Sequence, residues 1–190
     1  MTILGISLLR IAMCLGLVAR WTYLEVLRRS APVPGHRPLR VRVAKLGKEA
    51  TKWFLAIQTL FFSFWPILED PRGLQLVGGI LFFLALVLSW IARHQLGENW
   101  VDQEEATVRP GHQLVSHGLY RYVRHPIYTA DLMLFVGLEL ALNCWLVLLA
   151  VPLIPAMIAR TGREEKQLSD SVPGYAEYRH RTKRFIPFVL

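Results

Sequence analysis

The sequence predicts an all-α integral membrane protein with about five transmembrane helices, ending in a helical hairpin flanked by polar segments. Three observations carry this. Of the 190 residues, 53% are hydrophobic and 19% charged, too apolar a balance for an ordinary soluble domain. The apolar residues are bunched into five stretches instead of being spread evenly. The lysines and arginines cluster at alternate ends of those stretches, as the positive-inside rule requires.

The first stretch is Ile3 to Leu27. Arg10 and Arg20 interrupt it and no small-residue cleavage site follows, so it reads as a retained helix and not a signal peptide. The segment Ser30 to Pro38, with three prolines and Gly35, reads as a loop. Trp53 to Leu68 is the second stretch, closed by Pro66 and the turn Glu69 to Arg72. Leu74 to Ile91 is the third, with Gly78 and Gly79 suited to close helix contact. Ile127 to Leu142 and Trp145 to Ala159 form the hairpin, broken near Asn143. A full span needs about 20 apolar residues, so this last pair is a little short. The tail from Pro173 to Arg184 reads as an amphipathic helix on the headgroups, ended by Pro187. The whole, residues 1–190, reads as one domain: three N-terminal helices in 1–92, then a loop, the hairpin and the tail in 93–190.

Charge sets the orientation. A loop from Arg28 to Lys52 carries eight basic residues, and further basic groups follow the third and fifth stretches. The turn after the second stretch has only Arg72, beside Glu69 and Asp70. Five spans put the three basic regions on one side, giving an outside N-terminus and a cytoplasmic C-terminus. The net charge of +8 would suit nucleic acid, but its position at the ends of apolar segments assigns it to lipid headgroups. Cys14 and Cys144 lie inside apolar runs without metal spacing and read as packing residues.

Two polar blocks then face the cytoplasm. One runs from His112 to Tyr128, the other from Arg160 to Leu168. Pro126 suits the first turn of a helix, with His125 at its cap, and such a helix start attracts anions. The alternative for Arg121, Arg124 and His125 is a plain basic flank, with Tyr120, Tyr122 and Tyr128 as interfacial anchors. Arg160 and Glu164 stand one helical turn apart. They read either as a surface ion pair or as an anion-binding guanidinium beside a carboxylate for a cationic or hydroxyl-bearing group, with Glu165 competing for Glu164's role. Asp131 and Glu139, inside the fourth stretch, should face the protein interior or pair with Arg10 or Arg20. No GxGxxG, P-loop, HExxH or G-x-S-x-G motif is present, and His112, His117 and His125 lack metal-ligand spacing.

The ordered set of His112 to Val115, Gly118 to Tyr120, Arg124 to Tyr128, Arg160 with Glu164 and Glu165, and Tyr175 to Pro187 resembles the isoprenylcysteine carboxyl methyltransferase family. The resemblance covers roughly Leu96 to Phe188. It implies a membrane methyltransferase with a cytoplasmic cofactor-binding region for S-adenosylmethionine. It further implies donor contacts from His112, Gln113, Leu114, Val115, Tyr120, His125, Pro126, Ile127, Tyr128 and Glu164, with Arg160 orienting the acceptor. Glu105 falls where the family often has glutamine, and Ala130 where it commonly has glycine. The implied acceptor is lipidic and enters from the bilayer: a prenylcysteine-like carboxylate first, a phospholipid amine second. An NADPH-dependent sterol-type reductase and a non-catalytic membrane scaffold are the other readings. No metal and no nucleic-acid partner is expected.

Overall fold

The computed structural model describes residues 2–3, 6–29, 39–62, 65–99 and 113–186. Among them are six α-helices: α1 Leu8–Arg29, α2 Leu39–Phe61, α3 Arg72–Leu96, α4 Pro126–Ala141, α5 Ala150–Ser171 and α6 Tyr175–Arg181. A two-residue antiparallel ladder, Thr2–Ile3 with Ile6–Ser7, precedes α1. The helix α3 and the segment Trp145–Ser171 are long and apolar enough to cross a bilayer. Their outer residues, among them Leu76, Ile80, Val87, Val151 and Ile154, are exposed, as lipid-facing positions would be.

Two expectations need correction. The basic stretch after α1 is not a loop as far as Lys52, because α2 begins at Leu39. Residues 39–52 contain no proline and are rich in leucine, alanine, arginine and lysine, all good helix formers. An ion pair one turn apart, Lys52 Nζ to Glu49 Oε1 at 2.6 Å, supports this half of the helix. The second apolar stretch is helical only to Phe61, and Trp65 to Leu68 form an irregular segment. The segment Ser30 to Pro38 lies outside the described residues, as does Pro187.

The chain forms two compact units, Met1–Phe83 with Val136–Val147, and Leu84–Phe135 with Leu148–Leu190. In the first, α1 packs on α2. Gly78 of α3 lies against the end of α4, where a Cβ would come within 2.8 Å of the Gly137 carbonyl oxygen. Gly137 in turn has the Phe82 amide 2.6 Å from where its own Cβ would stand. Small residues on both helices are what lets the backbones approach.

Asn143 terminates α4 in the left-handed region, at φ 54°, a conformation its short polar side chain tolerates. Its Oδ1 accepts the Ile67 and Leu68 amides at 3.2 and 3.0 Å, and its Nδ2 donates to the Leu68 carbonyl at 2.7 Å. The helix break near Asn143 is thus a clasp that satisfies the irregular segment after α2.

Glu139, on α4, is fully buried, as an ionisable residue in an apolar stretch should be. Its Oε2 accepts from Gln58 Nε2 of α2 at 2.8 Å. Arg10, considered as its partner, donates instead to the Phe62 carbonyl at 3.3 Å. Replacing Glu139 by alanine leaves the buried Gln58 amide with only the Cys144 sulfur, at 4.0 Å, as an acceptor. We expect a loss of about 1–3 kcal/mol in unfolding free energy for Glu139→Ala and a smaller loss for Glu139→Gln, measured by denaturant unfolding in detergent.

Candidate functional site

The second unit brings the two polar blocks together. The approach to the site is fixed by the end of α3 and the 3₁₀ turn Gly97–Asn99 that follows it. Asn99 Oδ1 accepts the Gln113 amide at 2.8 Å, and Gln95 Oε1 accepts the Leu119 amide at 2.8 Å. Gly118 has φ +59°, a backbone conformation that favours glycine, and it leaves room beside it for the Gln95 amide. A 3₁₀ turn, Gly118–Arg121, then carries Tyr120 inward, to 5% exposure.

Tyr120 is held from the C-terminal side. Gly174, at φ 78°, starts α6, and Tyr175 and Tyr178 bury against Val172, Leu168 and Leu114. The Tyr178 hydroxyl donates to the Tyr120 carbonyl at 2.7 Å. Burial pushes the Tyr178 phenol up to about 12, so it stays neutral and can donate. This corrects the reading of the tail as a headgroup-lying helix: its tyrosines face the protein, and only seven residues are helical. The chain after α6 runs parallel to Val123, with Arg124 and His125 amides donating to the Lys183 and Arg184 carbonyls at 2.8 and 3.1 Å.

At the centre is Glu165, 2% exposed and beyond the apolar part of α5. Its Oε1 accepts from Arg124 Nε at 2.8 Å and lies 3.1 Å from His125 Nε2. Its Oε2 accepts from Arg184 at 2.8 Å. Burial acts to raise the Glu165 carboxyl, but the hydrogen bonds from His125, Arg184 and Arg124 outweigh it and hold the group far below the usual carboxylate range. Arg124 also donates to the carbonyls of Arg179, at 3.0 Å, and Thr182. Start of α4, polar end of α5 and tail are thereby joined at one carboxylate.

At the adjacent Glu164 the chemistry changes. Tyr128 of α4 donates its hydroxyl to Glu164 Oε2 at 3.0 Å and accepts from Arg160 Nε at 3.0 Å. The three side chains are half-buried. The His125 ring meets the Tyr128 ring edge-on at 5.7 Å, which fixes the phenol's direction. A guanidinium able to take a carboxylate or phosphate, and a carboxylate able to take an ammonium or hydroxyl, therefore stand together on a phenol.

The expected residues divide as follows. His112 and Glu105 lie outside the described residues. Tyr128, Arg160 and Glu164 are in direct contact, with His125 behind them. Leu114 reaches the cluster that supports Tyr120. Pro126 is buried at the first position of α4, as its missing N–H favours, and Ile127 is half-buried beside it. Gln113 is exposed and its amide turns to Asn99, and Val115 is half-buried. Sequence reasoning missed Gln95 and Asn99, and gave Arg184 and Glu165 no structural role, since each works through a partner distant in the chain.

Residues 74–171, just over half of the chain, match the family model described as phospholipid methyltransferase. The cobalt-zinc-cadmium resistance protein CzcN of Cupriavidus metallidurans is 37% identical over 84 residues, which are 42% of this chain and 38% of that protein. The solved structure of the eukaryotic intramembrane Ras methyltransferase, isoprenylcysteine carboxyl methyltransferase, superposes with a TM-score of 0.52 at 23% identity, over 83% of this chain and 55% of the other. The chain thus spans well under two thirds of either relative. At that identity the structural likeness establishes the fold.

The Glu165 cluster has a pH signature. Its folded pKa lies below the unfolded value of about 4.3, so the stability it contributes is present above that value and lost as pH falls through the folded pKa. Wild-type protein should lose stability on acidification below about pH 4, and Glu165→Gln should flatten that dependence, read from melting temperature against pH. Glu165→Ala strands Arg124 and is expected to cost about 3–5 kcal/mol.

Proposed function

The chain belongs to the phospholipid methyltransferase family, and from that premise we propose that it transfers a methyl group from S-adenosylmethionine to a lipidic acceptor in the membrane. Members of this family are membrane methyltransferases that use this donor, and the chain is a membrane protein with helical spans. The observation that carries the proposal is the contact of Arg160, Tyr128 and Glu164 at 3.0 Å on either side of one hydroxyl.

The residues present fit the donor. Glu164 offers a half-buried carboxylate to its amino group or ribose hydroxyls, and the Tyr128 ring offers a π-face to a sulfonium. His112, Gln113, Leu114, Val115, Tyr120, His125, Pro126 and Ile127 complete the proposed donor site. When bound, S-adenosylmethionine supplies an already electrophilic methyl carbon. The protein's work is then to align the acceptor and exclude water. Arg160 holds the acceptor's anionic group, and a carboxylate acceptor needs no base. We therefore take a prenylcysteine-like carboxylate as the leading acceptor. A phospholipid amine is the second reading, favoured by the matched family's description. It requires removal of a proton from an ammonium, a task that would fall to Glu164 and compete with its hold on the donor.

In the proposed topology five segments cross or enter the bilayer, with the N-terminus outside. The site, the basic half of α2 and the tail are cytoplasmic, and residues 1–190 form one methyltransferase domain. The donor enters from the cytoplasm and the acceptor laterally from the lipid.

Calorimetric titration of detergent-purified protein with S-adenosylmethionine and with NADPH tests this. Saturable binding of the former is expected, weakened about ten- to a hundredfold in Glu164→Ala by loss of a charge-assisted hydrogen bond. NADPH binding in its place would move the assignment to a membrane reductase, and binding of neither would leave a non-catalytic scaffold.

A further inference from the structure

Arg160 and Glu164 are not independent groups. Each spends a hydrogen bond on the same phenol, Arg160 Nε donating to it and Glu164 Oε2 accepting from it, both at 3.0 Å. The phenol has little freedom to turn away. It projects from α4 two residues after Pro126, and its ring is fixed edge-on by His125, which Glu165 holds at 3.1 Å. A hydroxyl in this position transmits polarisation: the cation on its lone pair strengthens its donation to the carboxylate.

We propose that the Tyr128 hydroxyl is a positioning group that couples acceptor binding at Arg160 to donor binding at Glu164. The inference rests on the methyltransferase reading and adds to it a linkage between the two half-sites. An anionic acceptor group draws Arg160 off the phenol. The phenol then donates more weakly to Glu164. Glu164 becomes more available to the amino or hydroxyl groups of the donor. Linkage makes the effect reciprocal: a bound donor that engages Glu164 releases Arg160 for the acceptor. The chemistry shared by both candidate acceptors, an anionic carboxylate or phosphate, is all that the coupling requires.

The test measures binding and not turnover. S-adenosylhomocysteine, which has no methyl group to transfer, is titrated into protein in an uncharged maltoside detergent. The titration is repeated with N-acetyl-S-farnesylcysteine, and separately with phosphatidylethanolamine, in the micelles. In the wild type, one of these anions should tighten S-adenosylhomocysteine about fivefold or more, and the one that does so identifies the anion source. In Tyr128→Phe the ratio should fall to about one while S-adenosylhomocysteine still binds. Tyr128→Leu serves as a second hydroxyl-free variant, and the one that keeps wild-type helical content and melting is used. A purely structural phenol would shift affinity with and without acceptor alike and leave the ratio unchanged. Coupling that persists without the hydroxyl, or a wild type that binds S-adenosylhomocysteine equally in all three micelles, overturns the inference alone. A wild type that binds neither S-adenosylhomocysteine nor S-adenosylmethionine overturns the methyltransferase reading and the inference with it.

Discussion

The second unit is organised around the burial of one carboxylate. Glu165 has both oxygens engaged, by Arg124 and His125 on one and by Arg184 on both, at 2% exposure. Burying a carboxylate is costly unless pairing and hydrogen bonds fully compensate it. Here three separate pieces of chain meet: the helix α5 brings the carboxylate, the turn before α4 brings Arg124 and His125, and the strand-like tail after α6 brings Arg184. None of the three can shift without leaving a charge unpaired. The constraint reaches outward in two directions. Through His125 it sets the ring of Tyr128, and through Arg124 it fixes the carbonyls of Arg179 and Thr182, hence α6 and the tyrosines that support Tyr120.

The first unit solves a different problem by different means. Its helices approach through glycine, at Gly78 and Gly137, and its buried polar side chains are matched in pairs. Gln58 meets Glu139, and Asn143 closes on the Ile67–Leu68 backbone. Each of these pairs removes a polar group from surroundings that offer it no water. This is the economy expected where the surrounding medium is hydrocarbon.

Much of this was legible in the sequence, for identifiable reasons. Apolar clustering located α3, α4 and α5, since their composition exceeds any ambiguity of period. Pro126 and Asn143 marked the two ends of α4 because each acts through its own backbone conformation. The start of α2 was hidden because basic residues on a helix and in a loop look alike without a periodic apolar face that is buried. The choice between Glu164 and Glu165 was hidden for a sharper reason. Neighbours on a helix point about 100° apart, so two identical side chains have opposite fates: one enters the charge cluster, the other faces Tyr128. Only partners 36 and 41 residues away distinguish them. The tail was misread in the same way. Tyr175 and Tyr178 suit a membrane interface by type, and it is the hydroxyl bond from Tyr178 to the Tyr120 carbonyl, 58 residues back, that turns them inward.

The contrast between the two glutamates also explains how one helix can be both scaffold and site. Glu165 is buried and held by three side chains, with its carboxyl kept in the charged form. A group so fully engaged cannot change partners at a cost compatible with turnover, which suits it to holding helices. Glu164 is half-buried, with a neutral phenol as donor on one oxygen. Exchanging that bond for one to an incoming ligand trades like for like, because both are hydrogen bonds to a charged carboxylate. Arg160 stands in the same relation to the phenol's lone pair. The rigid cluster therefore sits one residue from the exchangeable one, and the precision of the second is inherited from the first.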